Sequence, residues 1–213
     1  AAGTLPKLVV RPFGVLGTQL QAGGQVVPVG AQPDSGTVVL DPADLFFINE
    51  LGPNAPGGAA SSNYKWLGIK GNASFPDPVK HAVQKTLDAK FHAYADGTKL
   101  CIHSVGPDFR DRELSRADAV AELARAYCNV LAEFVASASP RLRILPISGG
   151  IFIGPQFADD LASMTAEAFY AGLSLLNAGQ QRKVASAECV EMCIFSEREF
   201  DAFEEAFRAR AGK

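Results

Sequence analysis

Unbroken apolar runs and helix-spaced apolar stripes alternate along this chain. Val38-Val39-Leu40 and Leu45-Phe46-Phe47-Ile48 are runs of the kind found in strands covered on both faces. Cys101 to Val105, Leu142 to Leu145 and Val190 to Phe195 read as further strands. Ser115 with Asp118 forms a capping-box pattern, and Val120, Leu123, Tyr127, Leu131 and Phe134 follow at helical spacing, which predicts a helix to about Val135. Phe157, Leu161, Met164 and Ala168 make a second stripe, with Asp159 and Asp160 where the helix dipole favours anions. Ser196 with Glu199 opens a third helix, whose apolar face is Phe200, Phe203 and Phe207. Strands alternating with helices in this order predict an α/β fold, a three-layer α/β/α sandwich with a mixed, largely parallel central sheet. Residues 1–36 carry short runs such as Leu8-Val9-Val10 between Gly23-Gly24, Pro28, Gly30, Pro33 and Gly36, and read as strands and turns ahead of a core over 37–210. Residues 52–78, rich in Gly, Pro, Asn and Ser, read as one long loop.

The 213 residues suffice for one well-buried core, so a single domain over 1–213 is expected. At 47% hydrophobic and 20% charged, the composition excludes disordered and fibrous classes. Twenty basic against 23 acidic residues leave a net charge of −3, which argues against a broad footprint for duplex nucleic acid. No apolar run approaches the roughly 20 residues needed to span a bilayer, and Ala1 to Pro6 lacks the basic and apolar regions of a signal peptide. No membrane association is expected. Cys101, Cys128, Cys189 and Cys193 lie in apolar segments without ligand spacing, so they read as reduced, buried thiols of a cytoplasmic or nuclear protein that needs no metal or cofactor.

Two glycine-rich segments each follow a predicted strand. One is Ile48-Asn49-Glu50-Leu51-Gly52-Pro53-Asn54-Ala55-Pro56-Gly57-Gly58, the other Ile147-Ser148-Gly149-Gly150-Ile151-Phe152-Ile153-Gly154-Pro155. In open α/β sheets ligands bind beyond the carboxyl ends of the strands. Glycine there lets backbone amides wrap a phosphate, and a following helix adds its dipole. A tight turn needing positive φ explains one such loop as well, but two less readily. Phe152 either covers a ribose or base face or plugs core, and Asn49 either fixes sugar hydroxyls or caps its turn. His81, His92 and His103 show no spacing that marks a catalytic arrangement. His103, inside an apolar strand, reads as a hydrogen-bonded structural histidine. Asp108 and Asp111 flank Arg110 in the loop after the Cys101 strand and read as a solvated surface group.

Four segments, in order from roughly Val38 to Phe207, resemble macrodomains. Lys99-Leu100-Cys101-Ile102-His103-Ser104-Val105-Gly106-Pro107 closely resembles that family's K-Y-V-I-H-T-V-G-P strand. Ile147 to Pro155 is similar to its diphosphate loop, written I-S-T-G-I-Y-G-Y-P or L-S-A-G-I-F-G. Leu45 to Asn49 resembles the D-A-I-V-N strand that opens the cleft, and Val190 to Phe207 the last strand and helix. The resemblance implies binding of ADP-ribose or an ADP-ribosylated protein. Ser148, Gly149, Gly150, Ile151 and Phe152 would hold the diphosphate and distal ribose, Asn49 would be the first cleft asparagine, and Asp41 would contact adenine. Gly57 and Gly58 keep part of the family's glycine run. In the hydrolytic branch, N-A-A-N-x-x-x-L-G-G-G-G-V-D supplies a second Asn and an Asp. Counted from Asn49, this chain has Gly52 and Ser62 there, and neither acts as a carboxylate base or orients water as those residues do. Only a shifted register brings Asn54 or Glu50 into play, so no catalytic residue is assigned. Residues 65–98 depart from the pattern as an insertion containing Asp77 to Lys85. Binding is therefore the expectation. The enzymatic alternative is removal of mono-ADP-ribose from proteins or deacetylation of O-acetyl-ADP-ribose, and the third is a drifted module that binds RNA or a protein partner.

Overall fold

The computed structural model describes residues 6–211, so most of the Ala1 to Pro6 stretch lies outside the described residues. Alternate side chains of the run Val38-Val39-Leu40 enter two different cores and none has exposed surface. That places the run in the middle of a covered sheet, as a period of two requires. The strands are β1 (Leu8–Arg11), β2 (Thr18–Leu20), β3 (Val26–Pro28), β4 (Thr37–Ala43), β5 (Ala89–Tyr94), β6 (Lys99–Val105), β7 (Arg141–Ile144) and β8 (Cys189–Cys193). Six of them form one sheet in the order β1-β8-β7-β4-β6-β5, parallel except for β5 against β6, while β2 and β3 pair separately as a hairpin.

Among the described residues seven helices flank the sheet: α1 (Gly58–Leu67), α2 (Asp77–Ala82), α3 (Arg116–Ser137), α4 (Gly154–Phe157), α5 (Leu161–Leu175), α6 (Ala178–Ala185) and α7 (Phe200–Ala211). Val38, Leu40, Leu142, Ile144, Val190 and Met192 face the apolar stripes of α3, α5 and α7. On the other face, Val39, Cys101 and Cys193 meet Tyr64 and Leu67 of α1, Val79 of α2, and Phe13 and Val15 of the N-terminal segment. The fold is thus the expected α/β/α sandwich. The α3 start is the expected one, since the Ser115 side chain accepts from the Asp118 amide at 3.1 Å.

Two predicted elements differ. Leu45 to Ile48 is not a strand; Phe47–Leu51 is a π-helical turn. Asp44 starts it by accepting from the Phe46 amide at 2.8 Å through its carboxylate and from the Ile48 amide at 3.0 Å through its carbonyl. Only Ile48 of the run is buried, whereas Phe46 is 57% exposed, and a four-residue apolar run carries no periodicity that separates the two structures. Residues 52–78 are not one loop either. They contain α1, whose Asn63, Tyr64 and Leu67 turn inward, and the start of α2. The stretch 65–98 then supplies β5, the antiparallel edge strand.

The N-terminal region both completes and covers the sheet. β1 adds the edge beyond β8, and Arg143 of β7 reaches the segment that follows. Its guanidinium donates to the carbonyls of Val15 (3.2 Å) and Ala31 (2.8 Å) and to Glu191 (2.7 Å), and lies 5.2 Å from the Phe13 ring. A buried arginine paired with Glu191 and two carbonyls satisfies the condition that buried charge be paired.

Candidate functional site

All five parallel strands end on one edge, so the segments 12–17, 44–57, 106–115, 145–153 and 194–199 gather there. Three braces shape the loop after β7. The Gly149 amide donates to the Pro146 carbonyl at 3.0 Å, and a Cβ on Gly149 would lie 2.9 Å from Pro146. Ser148 takes a left-handed φ of 60°, and its hydroxyl donates to the Pro107 carbonyl at 2.5 Å. The Phe109 amide donates to the Phe152 carbonyl at 2.8 Å. Beyond these braces Gly150 is exposed, with no atom within 4 Å of where its Cβ would stand. Among the described residues the Gly150 and Ile151 amides donate to nothing. They open the 3-10 turn Ile151–Ile153, whose first amides have no partner within the turn. Two adjacent free amides at a turn start form a cradle for an anion.

A cation and its paired carboxylate border that cradle. The Arg110 guanidinium lies 5.0 Å from the Phe152 ring and pairs with Asp108 at 2.5 Å. Both side chains are more than two-fifths exposed, so the pair contributes little to stability and is free to exchange partners. Arg110 holds the Asp108 carboxyl below its usual range, and Asp108, then Asp111 and Asp44, push the Arg110 guanidinium up. The expected solvated surface group is therefore in place, and it also borders the loop. Asp44 is the first residue past β4.

Gly57 and Gly58 lie at the start of α1 with open space around both, and no side chain caps that helix. Lys70 fixes the approach by donating to the carbonyls of Asn54 (2.8 Å) and Pro56 (2.6 Å). Gly52, at φ 77°, packs so closely that a Cβ would lie 2.2 Å from the Ala73 carbonyl oxygen. Ser62 is exposed on α1, its hydroxyl turned back to the Gly58 carbonyl at 3.4 Å.

Asp41 and Asn49 stand elsewhere than the sequence suggests. Asp41 has no exposed surface; it accepts from His103 Nδ1 (2.7 Å), the Tyr64 hydroxyl (2.8 Å) and Asn63 (3.2 Å). Tyr94 bonds the other His103 nitrogen at 2.7 Å. Asp41 is thus the hub that docks α1 onto the sheet, and His103 is the structural histidine its strand position implied. Asn49 braces its turn against the end of α2, donating to the Val83 carbonyl at 3.4 Å and accepting from Gln84 at 3.3 Å. Gly149 contributes a turn and Phe152 a carbonyl and a stacked ring, which leaves Gly150 and Ile151 as the open part of the predicted loop. The strand that leads to this edge is β4, so Asp41-Pro42-Ala43-Asp44, rather than Asn49 to Gly52, follows a strand into the strand-end segments. Sequence reasoning did not single out the exposed ring of Phe195. β8 stops at Cys193, and this ring emerges 41% exposed at the same edge, against Gly14. An apolar run that outlasts its strand was the available signal.

Two hollows on the molecule lie away from these loops. One, of about 420 Å³, is lined by Lys85, Asp88, Arg125, Cys128 and their neighbours; the other, of about 240 Å³, lies between β1 and α7. Gly150 and Ile151, by contrast, lie exposed at the strand ends.

A doubly covered, largely parallel sheet with two unengaged amides and an exposed arginine at its strand ends places this chain among α/β sandwich domains. Comparison with solved structures makes this specific: the fold is that of macrodomains. The Oceanobacillus iheyensis macrodomain with ADP matches at a TM-score of 0.60 and 14% identity, over 96% of this chain and 92% of that one. The Trypanosoma brucei macrodomain in complex with ADP-ribose matches at 0.54 and 14%, over 93% and 68%. An alphavirus structure, P23pro-zbd, matches at 0.56 and 18%, over 99% of this chain, which spans only a quarter of the alphavirus chain. No family model and no curated protein sequence matches the chain.

Proposed function

We propose that this chain binds ADP-ribose, free or attached to protein, across the strand-end cleft. The observation that carries the proposal is the pair of unengaged amides at Gly150 and Ile151, open to solvent and bordered by Arg110. They receive the diphosphate, and Arg110 leaves Asp108 to add counter-charge. Phe195, exposed where β8 ends, offers a face for the base. The open N-terminus of α1 at Gly57 and Gly58 takes the distal ribose. The neighbours solved with ADP and with ADP-ribose support the same ligand class. Four unpaired thiols support a cytoplasmic or nuclear setting, and among the described residues no helix is long and apolar enough to cross a membrane.

One observation favours hydrolysis as a second reading. Asp44 is the residue that leaves β4, so a base or water-orienting group is present at the strand end. Release of ADP-ribose from a mono-ADP-ribosylated protein, lost in Asp44→Asn, tests it; no release by the unaltered chain leaves binding alone.

Thermal unfolding tests the binding itself. ADP-ribose at 100 times its dissociation constant stabilises the fold by about 2.7 kcal/mol, a midpoint rise on the order of 5 to 10 °C for a chain of this size. Gly150→Glu removes the rise without lowering the unliganded midpoint, because that Cβ meets open space. An unchanged rise places the ligand elsewhere.

A further inference from the structure

We infer that Tyr127 is a positioning residue for the diphosphate: its hydroxyl, held between the Leu145 carbonyl and the Ile147 amide, sets the direction of the Gly150 and Ile151 amides. The inference rests on the ligand site proposed above.

Tyr127 sits on α3 in the apolar stripe of Val120, Leu123, Leu131 and Phe134, fully buried and edge-on to Phe169 of α5 at 5.9 Å. Packing alone would be met by phenylalanine, the residue used two turns later at position 134. The hydroxyl is therefore the informative atom. It donates to the Leu145 carbonyl at 3.2 Å and accepts from the Ile147 amide at 3.0 Å. Burial pushes the phenol well above its ordinary range, so it keeps the proton it needs to serve both bonds. Pro146 between them has no amide, so this one hydroxyl holds both ends of the tripeptide that leads out of β7.

The next residues depend on where that tripeptide ends. Ser148 is held in its left-handed conformation by Pro107, Gly149 is tied back to Pro146, and the two free amides come directly after. Gly106 fits flush against this corner, since a Cβ there would lie 2.6 Å from Ile147 Cγ2 and 2.7 Å from Ser148 Oγ. Pro107 and Pro146 belong to loops, whereas Tyr127 belongs to a 22-residue helix packed along α5. It is the brace that refers the loop to a rigid element, and aiming amides before the ligand arrives removes an ordering cost from binding.

Tyr127→Phe keeps the ring and deletes the hydroxyl. The dissociation constant for ADP-ribose, read by calorimetry, should rise about tenfold. That for adenosine, which has no phosphate, should stay within twofold when followed by NMR titration. In the unliganded variant the Ile147 amide should exchange with solvent faster than in the unaltered protein. Phe169→Leu is the control: it loosens the packing against the Tyr127 ring while keeping the hydroxyl and its two backbone partners, and should leave ADP-ribose affinity within twofold. Unchanged ADP-ribose affinity in Tyr127→Phe, an equal loss for adenosine, or an equal loss in Phe169→Leu would each overturn the inference. If the unaltered protein binds no ADP-ribose, the ligand site is wrong and the inference falls with it; binding by the unaltered protein with an indifferent Tyr127→Phe sinks the inference alone.

Discussion

Replacing Asp41 by alanine distinguishes a ligand contact from a structural hub. The carboxylate has no exposed surface and accepts from His103, Tyr64 and Asn63, which belong to β6 and α1. Its removal strands three buried donors, each costing about 1–3 kcal/mol unpaired. Against that stands the relief of no longer burying a carboxylate, which leaves a net loss of about 3–5 kcal/mol, as for other broken buried charge networks. In a chain of this length that lowers the thermal midpoint by roughly 6–20 °C. Asp41→Asn keeps the volume but points an amide at donors, and should cost about 2 kcal/mol. Urea unfolding followed by circular dichroism gives the number, with the slope checked so that the midpoint reports stability. A loss below about 1 kcal/mol would refute the hub. So would an Asp41→Ala protein of normal stability that no longer binds ADP-ribose, because Asp41 would then be the adenine contact that its sequence position first suggested.

Gly52→Ala should destabilise by more than about 2 kcal/mol, since it combines positive φ with a contact at 2.2 Å from a backbone oxygen; urea unfolding reads it, and a cost under 1 kcal/mol would mean the 51–57 turn relaxes freely. Arg143→Met leaves the Val15 and Ala31 carbonyls without their donor and should cost about 3–5 kcal/mol, with proteolytic cuts appearing first between residues 12 and 36. Acid should weaken the fold through carboxylates held low in the native state: Asp34, at about 2 because of Arg141 and Thr37, and Glu191, where Arg143 and Arg11 outweigh the opposing effect of burial. Stability from such groups is complete above their unfolded values of 3.8 and 4.5 and is lost as pH falls through the folded ones. The urea midpoint should therefore drop from about pH 4.5 toward pH 2, and less steeply in Glu191→Gln; a flat profile would count against these pairs.

Much of the fold was legible because burial imposes periodicity. The α3 stripe and its Ser115 cap, the period-two split of Val38-Val39-Leu40 and the apolar face of α7 each follow from one physical constraint acting over many residues. The misread parts lacked such repetition. Leu45 to Ile48 is too short for its period to be counted, and what decides it is Asp44 capping the next turn. Reading that run as a strand drew attention to Asn49 and away from Asp44, the residue that leaves β4. α1 was concealed by its glycine-rich start and weak amphipathicity, and its inward residues become intelligible only once Asp41 is seen beneath them. In the loop after β7 the composition was read correctly, but the division of labour was not. Whether an amide is spent on Pro146, as at Gly149, or left free, as at Gly150, depends on three-dimensional bonds that no residue pattern encodes.

An NMR titration of the uniformly 15N-labelled chain with ADP-ribose is the most direct trial of the cleft. The amide resonances of Gly150 and Ile151 should move first and furthest, in the downfield direction expected of N–H groups that gain a charged acceptor, with smaller changes at Gly58, Arg110 and Phe195. Saturation that leaves Gly150 and Ile151 in place, or that moves only residues around Lys85 and Arg125, would contradict a diphosphate cradle at the end of β7.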